Sequence, residues 1–145
     1  MTPETVWIVV ADGALARFFV RTRSELPLEE LEALRITAEE ARRLHKHPTA
    51  VHDGANHRHH GRREAHDGHD NEERRFLAHI AGRIDLLAQE SSTVRFAICA
   101  PPRALGVLRD HLSAATRKRV GVEIAKDIVR DQLRDIDTRL RDHHV

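Results

Sequence analysis

The chemistry-bearing side chains are concentrated in one stretch, AVHDGANHRHHGRREAHDGHD (50–70), which holds six of the twelve histidines of this 145-residue chain. His57, His59 and His60, with His66 and His69 downstream, form the densest set of metal-ligand types in the sequence. Neutral imidazoles suit Zn²⁺ or Ni²⁺, and a flexible segment could wrap one such ion. No cysteine stands among them, and their spacing matches no helix-borne HExxH pattern. The stretch therefore reads in three ways: a solvated polar loop with incidental histidines, an adventitious metal binder, or a functional metal or pH-sensing site, since imidazole titrates near ~6.5.

A second candidate set lies elsewhere. Asp12-Gly13 with Arg17 could form a ligand corner near Lys126-Asp127, which follow the last apolar strand, where open α/β sheets often place ligands. The simpler reading has Gly13 supplying a positive φ, Asp12 bonding turn amides, Arg17 pairing with a carboxylate, and Asp127 capping the C-terminal helix. Arg117-Lys118-Arg119, with Arg103 and Arg109, could make a basic patch for phosphate backbones, or only a solvated turn. No GxSxG or phosphate-cradling glycine loop occurs. Cys99, the only cysteine, sits within an apolar run and reads as a small buried residue.

The elements that would position these groups follow from periodicity. Val6–Val10 and Leu15–Thr22 read as antiparallel strands joined at Asp12-Gly13. Leu26–Ile36 fits a helix or a strand about equally. From Thr37 to Asp70 apolar periodicity disappears, apart from a short helical pattern at Ala38–Leu44. A segment with so little to bury cannot offset its ordering entropy, so 37–70 is expected to be a long mobile loop. Asp70 and Glu73 resemble a capping box opening a helix with Phe76, Ile80, Ile84 and Leu87 on one stripe, ending near Gln89. Val94–Cys99 reads as a buried strand, Ala100-Pro101-Pro102 as a stop, and Arg103–Leu112 as a helix. Val120, Val122 and Ile124 alternate as a last strand, and Val129, Leu133, Ile136 and Leu140 mark a C-terminal helix.

One domain over residues 1–145 is expected, with helices packed on a mixed sheet. The net charge of +1 gives no global basic field, and scarce aromatics without tyrosine argue against base-stacking platforms. No apolar run approaches the ~20 residues of a membrane span, and the N-terminus lacks a basic signal-peptide region, so the expected location is cytoplasmic.

Four pieces carry a resemblance: VVADGALARFF (Val9–Phe19), ERRFLAHIAGRID (Glu73–Asp85), ICAPPRALGVLRDHL (Ile98–Leu112) and EIAKDI (Glu123–Ile128). Together they resemble the bacterial host attachment protein family, itself similar to the middle domain of archaeal and eukaryotic peptide-chain release factors. The resemblance implies a ribonuclease-H-like α/β fold with a five-stranded mixed sheet, in the order β-β-β-α-β-α-β-α, and makes Leu26–Ile36 its third strand. It implies a non-catalytic cytoplasmic binding module for RNA, the ribosome or translation components. The Gly-Gly-Gln on which release-factor chemistry rests does not occur here. The alternatives are a metal-dependent hydrolase or nuclease using Asp12, Asp127 and loop histidines, and a metal- or pH-responsive adaptor for a protein partner. Homo-oligomerisation is compatible with each. If the histidine stretch holds Zn²⁺, calorimetric titration gives heat that vanishes when His57, His59 and His60 are replaced by alanine; equal heats for both proteins contradict metal capture there.

Overall fold

A computed structural model describes residues 5–23, 25–44 and 64–145, with side chains from 68 onward in the last stretch. β-Branched and aromatic residues build the first two strands, β1 (Val6–Ala11) and β2 (Leu15–Arg21), an antiparallel hairpin in register from Val6↔Arg21 to Ala11↔Ala16. The Asp12 carboxylate closes its turn, accepting from the amides of Ala14 and Leu15 at 2.8 Å each. On its other side β1 pairs in parallel with β5 (Arg95–Cys99), which in turn pairs in parallel with β6 (Val120–Ile124). Parallel neighbours need crossover connections, which the helices supply.

The third strand expected over Leu26–Ile36 does not form as one strand. Two dipeptides, β3 (Glu29–Glu30) and β4 (Ile36–Thr37), both pair antiparallel with the free edge of β2 and flank a single 3₁₀ turn at Glu32–Leu34. The registers give the reason. Glu30 faces Phe19 and Ile36 faces Ala16, so five residues (31–35) stand opposite two (17–18), and the surplus must leave the ladder. The described sheet is thus six-stranded, ordered β3-β2-β1-β5-β6 with β4 also paired to β2, further along the same edge as β3, rather than five-stranded.

Helices cover both faces. The cluster around Val9, Phe18, Phe96 and Ile98 packs under α2 (Glu64–Glu90) and α3 (Pro102–His111), whereas Ile8, Val10, Phe19 and Cys99 pack under α5 (Leu133–Asp142). The two described ends of the expected loop 37–70 are helical. α1 (Ala38–Leu44) is helical, and its capping box is Thr37/Glu40: the Glu40 amide donates to Thr37 Oγ1 and the Thr37 amide to Glu40 Oε1, each at 3.1 Å. α2 already runs at Glu64, so Asp70 is interior to a helix rather than its cap. The stripe at Phe76, Ile80 and Ile84 anchors α2, while ion pairs hold its earlier turns: Arg42–Glu72 to α1 and Arg103–Asp70 to α3, both 3.1 Å. Residues 45–63, with His52, His57, His59 and His60, lie outside the described residues. Val129 is also reassigned: α5 opens only at Leu133, and Ile128-Val129 instead bury an irregular segment beneath it.

Three arginines bind these parts together. Arg17, buried on the α5 side of β2, grips Glu30 with Nε (3.0 Å) and Nη2 (2.7 Å), donates to the carbonyls of Val129 and Asp131, and lies over the Phe19 ring. Those hydrogen bonds, against the opposing effect of burial, hold the Glu30 carboxyl below the usual carboxylate range. Arg21 joins the Leu26 carbonyl to Asp137 of α5. Burial would push the Asp137 carboxyl up, but Arg21 and Arg141 outweigh it and hold it down. The short α4 (Ala114–Lys118), capped by Ser113, delivers Arg119, which donates to the carbonyls of Ala88, Ser91 and Val94 and covers Phe96. Arg119 thereby satisfies the end of α2, which carries no basic residue in its last turn. Arg119→Ala should lower the unfolding free energy by about 2–4 kcal/mol in urea titrations, against under ~0.5 for exposed Arg117→Ala; equal effects contradict the clamp.

Candidate functional site

The C-terminal ends of parallel strands β1 and β5 lie side by side, a place where α/β sheets commonly receive ligands. Here the β1–β2 turn, the early turns of α2 and the start of α3 enclose a cleft of about 400 Å³. Its charged lining is Asp12, His69, Asp70, Glu73, Arg74 and Arg103.

Each acid in this lining is engaged. Asp12 is held by its two turn amides, Asp70 accepts from Arg103 at 3.1 Å, and Glu73 accepts from His69 Nε2 at 3.0 Å. Gly13 has a role different from the one its turn position suggests, because its φ is not positive. A Cβ at this position would stand 2.7 Å from Glu73 Cδ, so glycine is what lets the Glu73 side chain lie across the turn. Among the described residues, no three His, Cys, Asp or Glu side chains gather in a way that could hold a metal ion. Cys99 is buried and its thiol is pushed up to about 12 by desolvation, so it stays a neutral packing group.

A family model described as "Protein required for attachment to host cells" matches residues 7–140. The chain belongs to that family. No curated protein matches it. The match runs from β1 to α5, so it covers the whole sheet-and-helix body of this host-attachment-family protein. None of its described helices is long and apolar enough to cross a membrane.

The residues singled out in the sequence are distributed as follows. Asp12 and Arg103 both line the cleft just described. Lys126 and Asp127 do not line it; they are exposed after β6, two strand positions from β1 in the sheet, roughly 10 Å at ordinary strand spacing. Nor does Asp127 cap α5, whose N-cap is Gln132. Arg17 does not join Asp12, being committed on the opposite face to Glu30 and the 129–131 backbone.

The basic set is dispersed likewise. Arg103 stands at the start of α3 and Arg117-Lys118 beyond its end, a helix length of about 15 Å away. Arg109 is paired with Glu123, and Arg119 is the clamp on α2. What is left of the patch is Arg117 and Lys118, both exposed, with no ion pair among the described residues. His69 is the one proposed metal ligand whose side chain is described, and it is bonded to Glu73; His66 lies in α2 with its side chain outside the described set. The sequence reading missed Glu73 and Arg74 as cleft residues. Their i+3 and i+4 spacing from Asp70 was legible only as helix-start chemistry, because nothing local shows that α2 overhangs the hairpin turn.

Proposed function

We propose that this host-attachment-family protein is a non-catalytic binding module that engages the phosphate backbone of ribosomal RNA. In this reading its place is the cytoplasm and its context is translation. One observation carries the proposal: of the five basic residues grouped in the sequence, Arg117 and Lys118 alone stay exposed and uncommitted among the described residues. They occupy the short α4, which Ser113 and Arg119 fix to the body at its two ends, so the cations are presented on a rigid base. Two free cations favour backbone contact, which is independent of base sequence and weakens with salt.

The resemblance to release-factor middle domains supports the same context, since helices on both faces of a mixed sheet are what that likeness implies. The experiment is co-sedimentation with ribosomes across a salt series. Pelleting at low salt should be lost in Arg117→Glu/Lys118→Glu, a variant that leaves the Arg119 clamp intact. Absence of pelleting at every salt concentration, or pelleting indifferent to the double reversal, contradicts the reading.

A further inference from the structure

α2 is built in two parts. From Phe76 onward a buried stripe fixes it, with Phe76, Leu77, Ile80, Ala81 and Ile84 all inside the core. From Gly68 to Arg75 no residue is buried: Gly68, Asp70 and Glu73 are half-buried and the others exposed. The residue types change at the same point. Gly68, His69, Asp70 and Asn71 stand in succession, and each is a weaker helix former than the alanines and leucines that recur after Phe76. Neither intrinsic propensity nor burial therefore secures this stretch as helix.

What secures it is polar and peripheral. Arg42 reaches Glu72 from α1 and Arg103 reaches Asp70 from α3, both at 3.1 Å and both through exposed guanidinium groups. Glu73 lies across the hairpin turn at Gly13. The His69–Glu73 pair joins two residues of the stretch itself, so it forms and breaks with the helix rather than tying it to the body. Exposed ion pairs are weak, and salt weakens them further. The same stretch supplies Asp70, Glu73 and Arg74 to the cleft, facing Ala104 and Val107 of α3, which are buried.

We propose that residues 68–75 are a lid on the cleft, which unfolds and re-forms as one unit while the rest of α2 stays in place, and that ionic strength sets how often it is open. Local opening of this kind belongs to segments with few buried apolar contacts and exposed backbone hydrogen bonds. Its hinge is the step from Arg75 to Phe76, where burial begins. Opening releases Arg103 from Asp70 and uncovers Ala104 and Val107 on the cleft floor. Gly68 offers a direct probe. Its φ is not positive and no atom lies within 4 Å of where a Cβ would stand, so alanine there changes helix propensity without a clash. The lid is separate from Arg117-Lys118, and the inference does not depend on ribosome binding.

The test is amide hydrogen exchange on the full chain, with rates at 68–75 read against those at 80–88. In wild type the first group should exchange far faster than the second, and raising salt from about 0.02 M to about 0.5 M should speed it about threefold. Gly68→Ala should slow it about fivefold. Arg103→Gln should speed it about threefold and shrink the salt effect. Rates at 80–88 should hold throughout. Alkylation of Val107→Cys by iodoacetamide should rise with salt in step with the exchange, with wild type, whose Cys99 is buried, as the blank. Slower exchange in Gly68→Ala together with faster exchange at high salt, both confined to 68–75, supports the lid. Failure of either response, a change shared equally with 80–88, or labelling at position 107 that ignores salt overturns it.

Discussion

Buried guanidinium groups are the constraint on which this structure turns. Removing an arginine from water is costly unless its donors are satisfied, and Arg17 and Arg21 are both buried. Arg17 resolves this through one carboxylate and two backbone carbonyls; Arg21 does so only in part, through the Leu26 carbonyl and Asp137, with its buried Nε left without a hydrogen-bond partner among the described residues. The chain segments they hold, Leu26 to Glu30 and Val129 to Asp131, are those with the least regular structure on that face. An arginine can anchor irregular backbone because it brings several donors in a fixed plane, which no aliphatic residue at the same position could do. On the opposite face Arg119 does the equivalent for the end of α2.

The cleft depends on a different balance. α2 is 27 residues long, but among its described side chains the buried stripe begins only at Phe76, so the turn from 68 to 75 projects past the core. There the helix is held by Arg42–Glu72 and Arg103–Asp70, with Glu73 resting across Gly13. Exposed pairs of this kind contribute little each, on the order of 0–1 kcal/mol, and are weakened by salt. The wall of the cleft is therefore its least firmly anchored side, in contrast to the floor formed by the ends of β1 and β5.

Much of this was legible in the sequence because it rests on apolar periodicity. β1, β2, β5 and β6, the stripe of α2 and the start of α3 at Pro102 all fall where alternation, spacing and proline chemistry put them. The failures have specific causes. Leu26–Ile36 showed both periods because Leu28 and Ile36 enter opposite cores across a break in the ladder, with Leu31 and Leu34 packed beneath it. Asp70 looked like a cap because its true partner, Arg103, lies 33 positions away and is brought near only by packing of α2 on α3. The carboxylate partner read for Arg17 is there, as Glu30, but its backbone partners, like those of Arg119, which looked like a free cation, belong to remote segments that no local pattern shows. Composition shows that a charge exists; only the fold decides whether a ligand can reach it.

The central claim, that arginines resembling ligand-binding groups are internal tethers, is tested most directly by amide hydrogen exchange on Arg17→Met. Methionine keeps an apolar stem over Phe19 but removes every donor. The account predicts faster exchange confined to residues 26–31 and 126–132, with β1, β5 and residues 76–88 of α2 as protected as before. Unchanged protection in both tethered segments, or loss spread evenly over the whole sheet, would contradict it.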